Sequence, residues 1–487
     1  MSRTRARELW RQVGIAACVV GVVRSVAAGE PSPAPTRTEV QSRRWLATED
    51  VRDCVALPER RWLAATAGGL VFGAGDVAER ILTAREGLPD TQVERLTLTG
   101  NRVRVDTRSG SVAVSLEDHT VVQTRPPSEA PALSAQLTTS SLEGLPPGVF
   151  PRKFHQSGNT RCWATDSGLF LSWSGTPVHR WRVSGLPSGN ISAVASGGDQ
   201  LFIGTFDQGL FIVDREERLV PGPESGLNPN INALAWDSSN STLWAATARG
   251  VSLCRHGARG WACSRVGQSS NMHAVIPLEH GGVVAGGDAG LEFFSAGGTR
   301  TGSFTRKQGA PFRAVWALAE GPKGTLFVGT TQGLFWSATT DFSSARAQPS
   351  AWLRRASLAT GDLTDDWVTA LLVQTNMVHV GTYNAGLVSF ERKASHLQRV
   401  NVQAELGYVN PAGISALDGD TLAVATMDGL RVGSGKEFRT LPTLGRDVTA
   451  VLPRPQPRTL ESSVARAQGE YWVASRRGLE LQRLDSR

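Results

Sequence analysis

The chain has 487 residues, of which 40% are hydrophobic and 20% charged, with 52 Gly and 25 Pro. That length suits several ordinary domains or one large repeat assembly, and the composition suits a turn-rich globule rather than a disordered or fibrous chain. Five arginines against Glu8 place +4 of the formal +7 charge in residues 1–28. The remaining +3 is scattered, not clustered on one face as nucleic-acid binding requires, so nucleic acid is excluded as a partner.

Residues 1–28 read as an export signal. A basic head (Arg3 to Arg11) precedes an apolar stretch from Val13 to Val23, and Val26-Ala27-Ala28 offers small residues for cleavage before Gly29. The apolar stretch is too short for a stable membrane-spanning helix. A second reading of the same segment is a lipid anchor, because Ile15-Ala16-Ala17-Cys18 resembles a lipobox. Residues 29–40, with Pro31, Pro33 and Pro35, form an extended linker. The expected location is therefore exported, periplasmic or secreted.

From residue 41 to 487 one hairpin pattern recurs. In Leu201-Phe202-Ile203-Gly204-Thr205 closing on Gly209, an apolar β-prone run ends in a small residue and Thr, then a tight turn reaches Gly. Ten copies close on Gly69, Gly110, Gly168, Gly209, Gly250, Gly290, Gly333, Gly386, Gly429 and Gly478, spaced 41, 58, 41, 41, 40, 43, 53, 43 and 49 residues apart. A period of about 40–45 residues is the size of one four-stranded propeller blade. An inner strand precedes each hairpin, as in Ile231-Asn232-Ala233-Leu234 and Val315-Trp316-Ala317-Leu318.

The last repeat ends at its third strand, whereas Gln41 to Thr48 resembles the outer strand of the other repeats. Open sheet edges are costly, so residues 41–48 are expected to complete the last blade. The expected fold is all-β: a β-propeller, one ring of about ten four-stranded repeats closed by the N-terminal strand, with two stacked arrays or a smaller ring with a divergent appendage as the alternatives.

Gly-Leu-Pro, then Ile/Val-x-Ala-Leu/Val, then an apolar run ending Gly-Thr, then Gly-Leu, resembles the two-component regulator propeller repeat. The resemblance is best from Gly185 to Leu430. It implies a β-propeller of the kind that serves as the extracytoplasmic sensing part of bacterial hybrid histidine kinases. Those proteins carry a membrane helix and kinase or output modules; this sequence shows neither, which implies a binding protein acting through a partner.

The chemistry-bearing residues are sparse. Cys254 and Cys263 flank a turn between two strand-like segments, and spacing leaves a disulfide and two buried thiols equally open. Cys54 and Cys162 read as core residues. The eight histidines form no close metal pair, and no nucleophile elbow, P-loop or dinucleotide fingerprint is present. No cofactor and no metal are expected. Asp166, Asp207, Asp288 and Asp428 recur near the hairpin corners, where Asp is a turn device. The long loop before Asp365-Asp366-Trp367, which also contains Trp352, is the place where binding residues are expected.

Two function classes follow. The first is a non-enzymatic exported propeller that binds an envelope protein or a glycan, or serves as accessory sensor to a separate membrane kinase. The second is an exported polysaccharide-active enzyme whose carboxylates meet at the ring mouth.

Overall fold

The computed structural model describes residues 43–122, 144–337, 354–454 and 468–485, less positions 166–167, 174–175, 182–184, 224, 269, 394–395 and 418–419. The expected signal, linker, Cys18, Asp166 and Trp352 lie outside these residues.

The described chain folds into ten four-stranded antiparallel sheets. In chain order, blades 1 to 10 span 51–82, 93–122, 151–180, 191–221, 231–265, 272–305, 315–356, 368–403, 409–441 and 448–485. Strands within a blade run a, b, c, d from the inside outward. The blade-10 sheet has only three strands of its own. Its fourth is Arg43–Leu46, which pairs antiparallel with Gly478–Asp485 in the register Arg43↔Leu481 to Leu46↔Gly478. The N-terminal strand therefore closes the last sheet, as the missing outer strand requires.

The recurring Thr and Gly have a common cause. All ten corner glycines hold positive φ, from 68° at Gly386 to 147° at Gly110, a region that other residues adopt only with strain. In blade 5, Thr247 Oγ1 donates to the Gly250 carbonyl at 2.8 Å and accepts from Arg249 N–H at 3.1 Å. The same arrangement joins Thr66 to Gly69, Thr330 to Gly333 and Thr426 to Gly429. The motif thus fixes the b–c corner by a side-chain bond as well as by backbone conformation.

Packing between blades favours the smaller ring with an appendage over a single ring of ten. Each hydrophobic cluster lies between two blades. Seven of these interfaces run 4–5, 5–6, 6–7, 7–8, 8–9, 9–10 and then 10–4. At the last interface Ala450, Trp472 and Leu481 of blade 10, with Trp45, pack on Leu186, Ile191, Leu201 and Ile203 of blade 4. Blades 4–10 therefore close a ring of seven. The other two clusters join blade 1 to blade 2 and blade 1 to blade 3, which makes an arc in the order 3–1–2.

The arc is inserted at the seam of the ring. The chain leaves the closing strand at Leu46 and returns beside it: Leu186 N–H donates to the Leu46 carbonyl at 2.9 Å. The link between blades 1 and 2 docks back on the ring through polar contacts. Arg477 straddles the Asp90 carboxylate at 2.7 and 3.1 Å, Thr91 Oγ1 donates to the Leu444 carbonyl at 2.5 Å, and Arg85 pairs with Glu480 at 2.8 Å. The outward face of blade 2 is polar (Arg104 bonds Asp106 and Ser111), so that end of the arc tolerates water.

Candidate functional site: the mouth of the seven-blade ring

One end of the ring is built by a device that repeats seven times. The residue after each b-strand donates its N–H to the carbonyl of the residue leading into strand a. The pairs are Phe206 to Asn190, Ala248 to Asn230, Asp288 to Asn271, Thr331 to Ala314, Tyr383 to Trp367, Met427 to Tyr408 and Arg476 to Asp447, at 3.0–3.4 Å. In six of the seven blades strand a then carries a β-bulge at its second residue, and in blade 9 the pairing breaks more widely, between Val409 and Ile414. Bulges re-aim a side chain, and here several of the re-aimed side chains reach the next blade. Asn232 Nδ2 donates to the Met272 carbonyl at 2.6 Å, Thr369 Oγ1 to Val409 at 2.6 Å, and Asn410 Nδ2 to Val448 at 2.6 Å. The polar inner column thus ties neighbouring inner strands together.

The mouth is chemically divided. On blades 4–6 it is rich in amides: Asn190, Asn230, Asn232 and Asn271, with Asn232 also donating to Asn271 Oδ1 at 3.0 Å. On blades 6–9 it is aromatic. His273 stacks on Trp316 (4.0 Å, 8°), Trp316 meets Trp367 edge to face (5.2 Å, 64°), Trp367 stacks on Tyr383 (4.3 Å, 11°), and Tyr383 leans on Tyr408 (4.8 Å, 52°). Blade 10 adds an ion pair, Arg476 Nε to Asp447 Oδ2 at 2.8 Å, with Arg476 lying over the Phe206 ring at 5.6 Å.

The electrostatics follow from burial. Desolvation raises the Asp447 carboxyl above its ordinary range, although Arg476 and Arg477 pull it down. Desolvation likewise raises the Tyr408 phenol, which stays protonated at any physiological pH. Asp288 pairs with His273 Nε2 at 2.7 Å. Among the buried polar atoms without a hydrogen-bond partner in the described residues are Ser192 Oγ (7% exposed), Thr449 Oγ1 (4%) and Trp367 Nε1. A buried polar atom without a partner costs about 1–3 kcal/mol unless water or a ligand satisfies it.

The expected binding residues separate. Asp365 accepts from Trp367 N–H at 3.0 Å and Asn384 N–H at 2.8 Å, and Asp366 accepts from Leu358 N–H at 2.7 Å. Both carboxylates shape the lead-in to blade 8. Trp367 alone of that group belongs to the mouth. Trp173, Trp181 and Trp336 are buried between blades. The turn aspartates hold turns or neighbours: Asp207 accepts from Ser188 Oγ at 2.8 Å, and Asp428 N–H donates to Thr426 Oγ1 at 3.1 Å. Cys254 and Cys263 face one another across strands c and d of blade 5, joined through their sulfurs with Cα atoms 4.0 Å apart. Among the described residues no group of three His, Cys, Asp or Glu is placed to hold a metal ion, and no helix is long and apolar enough to cross a membrane.

Sequence reasoning missed Trp316, Tyr383, Tyr408 and the asparagines. The signal was present: each sits at a fixed offset from a repeat landmark, directly after the Thr of strand b or at the start of strand a.

The sequence matches no family model and no curated protein. Among solved structures the chain is similar to PorZ, an essential bacterial surface component of the type-IX secretion system of Porphyromonas gingivalis. That match has 14% identity and a TM-score of 0.52, and covers 88% of this chain and 68% of that one. It is also similar to the extracellular domain of a hybrid two-component system of B. thetaiotaomicron (14% identity, TM-score 0.47, 89% of this chain). There the chain spans 56% of the other's length. A third similar structure is the extracellular domain of a one-component system of B. thetaiotaomicron (12% identity, TM-score 0.47, 90% and 69%). At these identities the likeness is one of fold, and with the ten four-stranded sheets it makes this chain a β-propeller protein.

Proposed function

We propose that this chain is an exported, non-enzymatic recognition propeller of a bacterial envelope, and that it holds an uncharged glycan at the mouth of the seven-blade ring. The observation that carries the reading is the division of that mouth. Amides on one side offer donors and acceptors to sugar hydroxyls, and an aromatic arc on the other offers ring edges and faces to C–H groups. Buried polar atoms without partners lie on the same inner strands and within the aromatic arc: Ser192 Oγ, Thr449 Oγ1 and Trp367 Nε1. Ligand sites combine a large apolar surface with a few placed polar groups in this way. Export is supported by the signal-like N-terminus and by the surface and extracellular proteins whose fold this chain shares.

The test is affinity capture from envelope extract, comparing the wild type with a Trp316→Ala/Trp367→Ala variant. Retention of polysaccharide by the wild type, lost in the variant, supports the glycan reading. Stoichiometric capture of a membrane protein, equal in both, replaces it with a scaffold or accessory-sensor role. One observation favours the polysaccharide-active alternative: the raised carboxyl of Asp447 at the mouth, the state a general acid needs. Shortening of the captured glycan, abolished by Asp447→Asn, would establish that alternative.

A further inference from the structure

The interface between blades 8 and 9 departs from the rule that the other six follow. At the third position before the Thr or its equivalent at the end of strand b, the ring places Phe202, Trp244, Val284, Phe327, Ala423 and Trp472. Each of these packs into the interface with the next blade. Blade 8 places His379 there. Its register partner on strand c is Ser389, where blade 4 has Ile212 and blade 5 has Leu253. Two polar residues thus replace apolar ones in an interblade core, and the 8–9 hydrophobic cluster is the smallest in the ring.

The replacement leaves a cavity of about 410 Å³, within the size range of small-molecule sites. Met377, Leu387, Leu422 and Phe438 form apolar walls, and His379 and Ser389, each 6% exposed, form the polar end. Exposed Val400, Asp420 and Lys436 mark the opening. The rim of blade 9 is held in place, because Asn401 and Gln403 both donate to the Gly435 carbonyl.

The polar end has a direction. His379 Nε2 lies 3.1 Å from Gln374 Oε1, and His379 Nδ1 lies 2.9 Å from Ser389 Oγ. An amide oxygen only accepts, so Nε2 carries the proton and Nδ1 accepts the Ser389 hydroxyl proton. Desolvation lowers the imidazole to about 4, so the ring is neutral at envelope pH and the relay keeps this sense. Ser389 Oγ has donated its proton and is left with lone pairs only. A molecule meeting it in the cavity must bring a donor.

We infer that the cavity between blades 8 and 9 is a second binding site, separate from the mouth, for a ring-sized apolar molecule carrying one N–H or O–H donor, of the indole or phenol class, bonded to Ser389 Oγ. The apolar walls take the ring, and Ser389 selects the donor. Lys436 and Asp420 at the opening leave room for a polar substituent.

The test uses the whole chain and two probes, 5-fluoroindole and its N-methyl derivative, read by fluorine NMR line broadening. A fragment of this size is expected to bind at about 0.1–1 mM. The inference predicts that 5-fluoroindole binds and that the N-methyl compound binds about tenfold more weakly, the weight of one neutral hydrogen bond. Ser389→Ala should remove that difference. His379→Phe, which restores the aromatic residue of other blades, should fill the cavity and abolish binding of both probes. If that variant does not fold, Val400→Trp closes the opening from the surface and should do the same. No binding to the wild type, equal binding of the two probes, or binding that survives filling of the cavity each overturns the inference. In any of those cases the hollow is a water-filled packing difference.

Discussion

Trp45 is the residue through which the closing strand can be weighed. It is 9% exposed, sits between Arg44 and Leu46 in a four-residue strand, and packs on Trp472 at 5.2 Å and 58°. It belongs to the one cluster that joins blade 10 to blade 4. Trp45→Ala removes the indole from a well-packed core, for which truncation costs about 3–5 kcal/mol. The tilted aromatic pair contributes about 0.5–1.5 kcal/mol of this as specific coupling. Urea denaturation of the wild type, Trp45→Ala, Trp472→Ala and the double variant resolves both quantities in one cycle. The expected result is a loss of about 3–5 kcal/mol for each single variant and a coupling of about 1 kcal/mol between them. A loss below about 1 kcal/mol for Trp45→Ala, the range of ordinary surface substitutions, would refute the assignment of Arg43–Leu46 as the strand that closes the ring.

Burial alone would raise the Asp90 carboxyl, but its bidentate bond to Arg477 outweighs this and holds it below the ordinary aspartate range. Its contribution is therefore complete above the unfolded aspartate pKa and is lost as pH falls through the lower folded value. Arg477→Ala should cost about 3 kcal/mol at neutral pH and much less at pH 2, read from unfolding midpoints. Glu480 has the opposite sign: burial raises its pKa above the unfolded value, against the pull of Arg85. It therefore favours folding at acid pH and loses that contribution as pH rises through the folded value, so Arg85→Ala should steepen the fall in stability as pH rises above the ordinary glutamate range. The Cys254–Cys263 bond closes a short loop. Non-reducing peptide mapping should find it, and its removal by Cys254→Ser/Cys263→Ser should cost about 2–3 kcal/mol. At the mouth, Asn232→Ala should weaken glycan retention and also loosen blade 5 from blade 6, seen as faster amide exchange at Met272, because its amide bonds the Met272 carbonyl.

The sheets were legible because their signals are local. The alternating inner strands, the Thr that bonds the corner carbonyl and the glycine that takes positive φ all lie within one hairpin, so each of the ten copies announces itself. The spare outer strand was legible for the same reason: Arg43–Leu46 reads like other d-strands and the last blade lacked one. The order of packing was not legible. Blade 3 sits on blade 1 through Cys162, Ala164 and Leu171 against Cys54, Trp62 and Val71, and blade 10 meets blade 4 rather than blade 1. Both outcomes depend on which apolar faces fit, across more than a hundred residues of chain. The candidate site was half legible. Trp367 stood out beside a long loop, but the aspartates next to it are spent on backbone N–H groups. Trp316 was read only as part of an inner strand, because the bulge that re-aims it is a property of the paired sheet.

A self-contained ring of seven blades carries the mouth, and the three-blade arc is an insertion at its seam. Leu46 and Leu186 are hydrogen-bonded where the chain leaves and returns. The most direct test is therefore to delete residues 49–184, join Thr48 to Gly185 through a short Gly-Ser linker, and follow unfolding by near-ultraviolet circular dichroism. A self-contained ring gives a soluble protein with a single cooperative transition and a native-like tryptophan spectrum from the mouth. An aggregated or non-cooperative product would contradict it and return the arc to the body of the propeller.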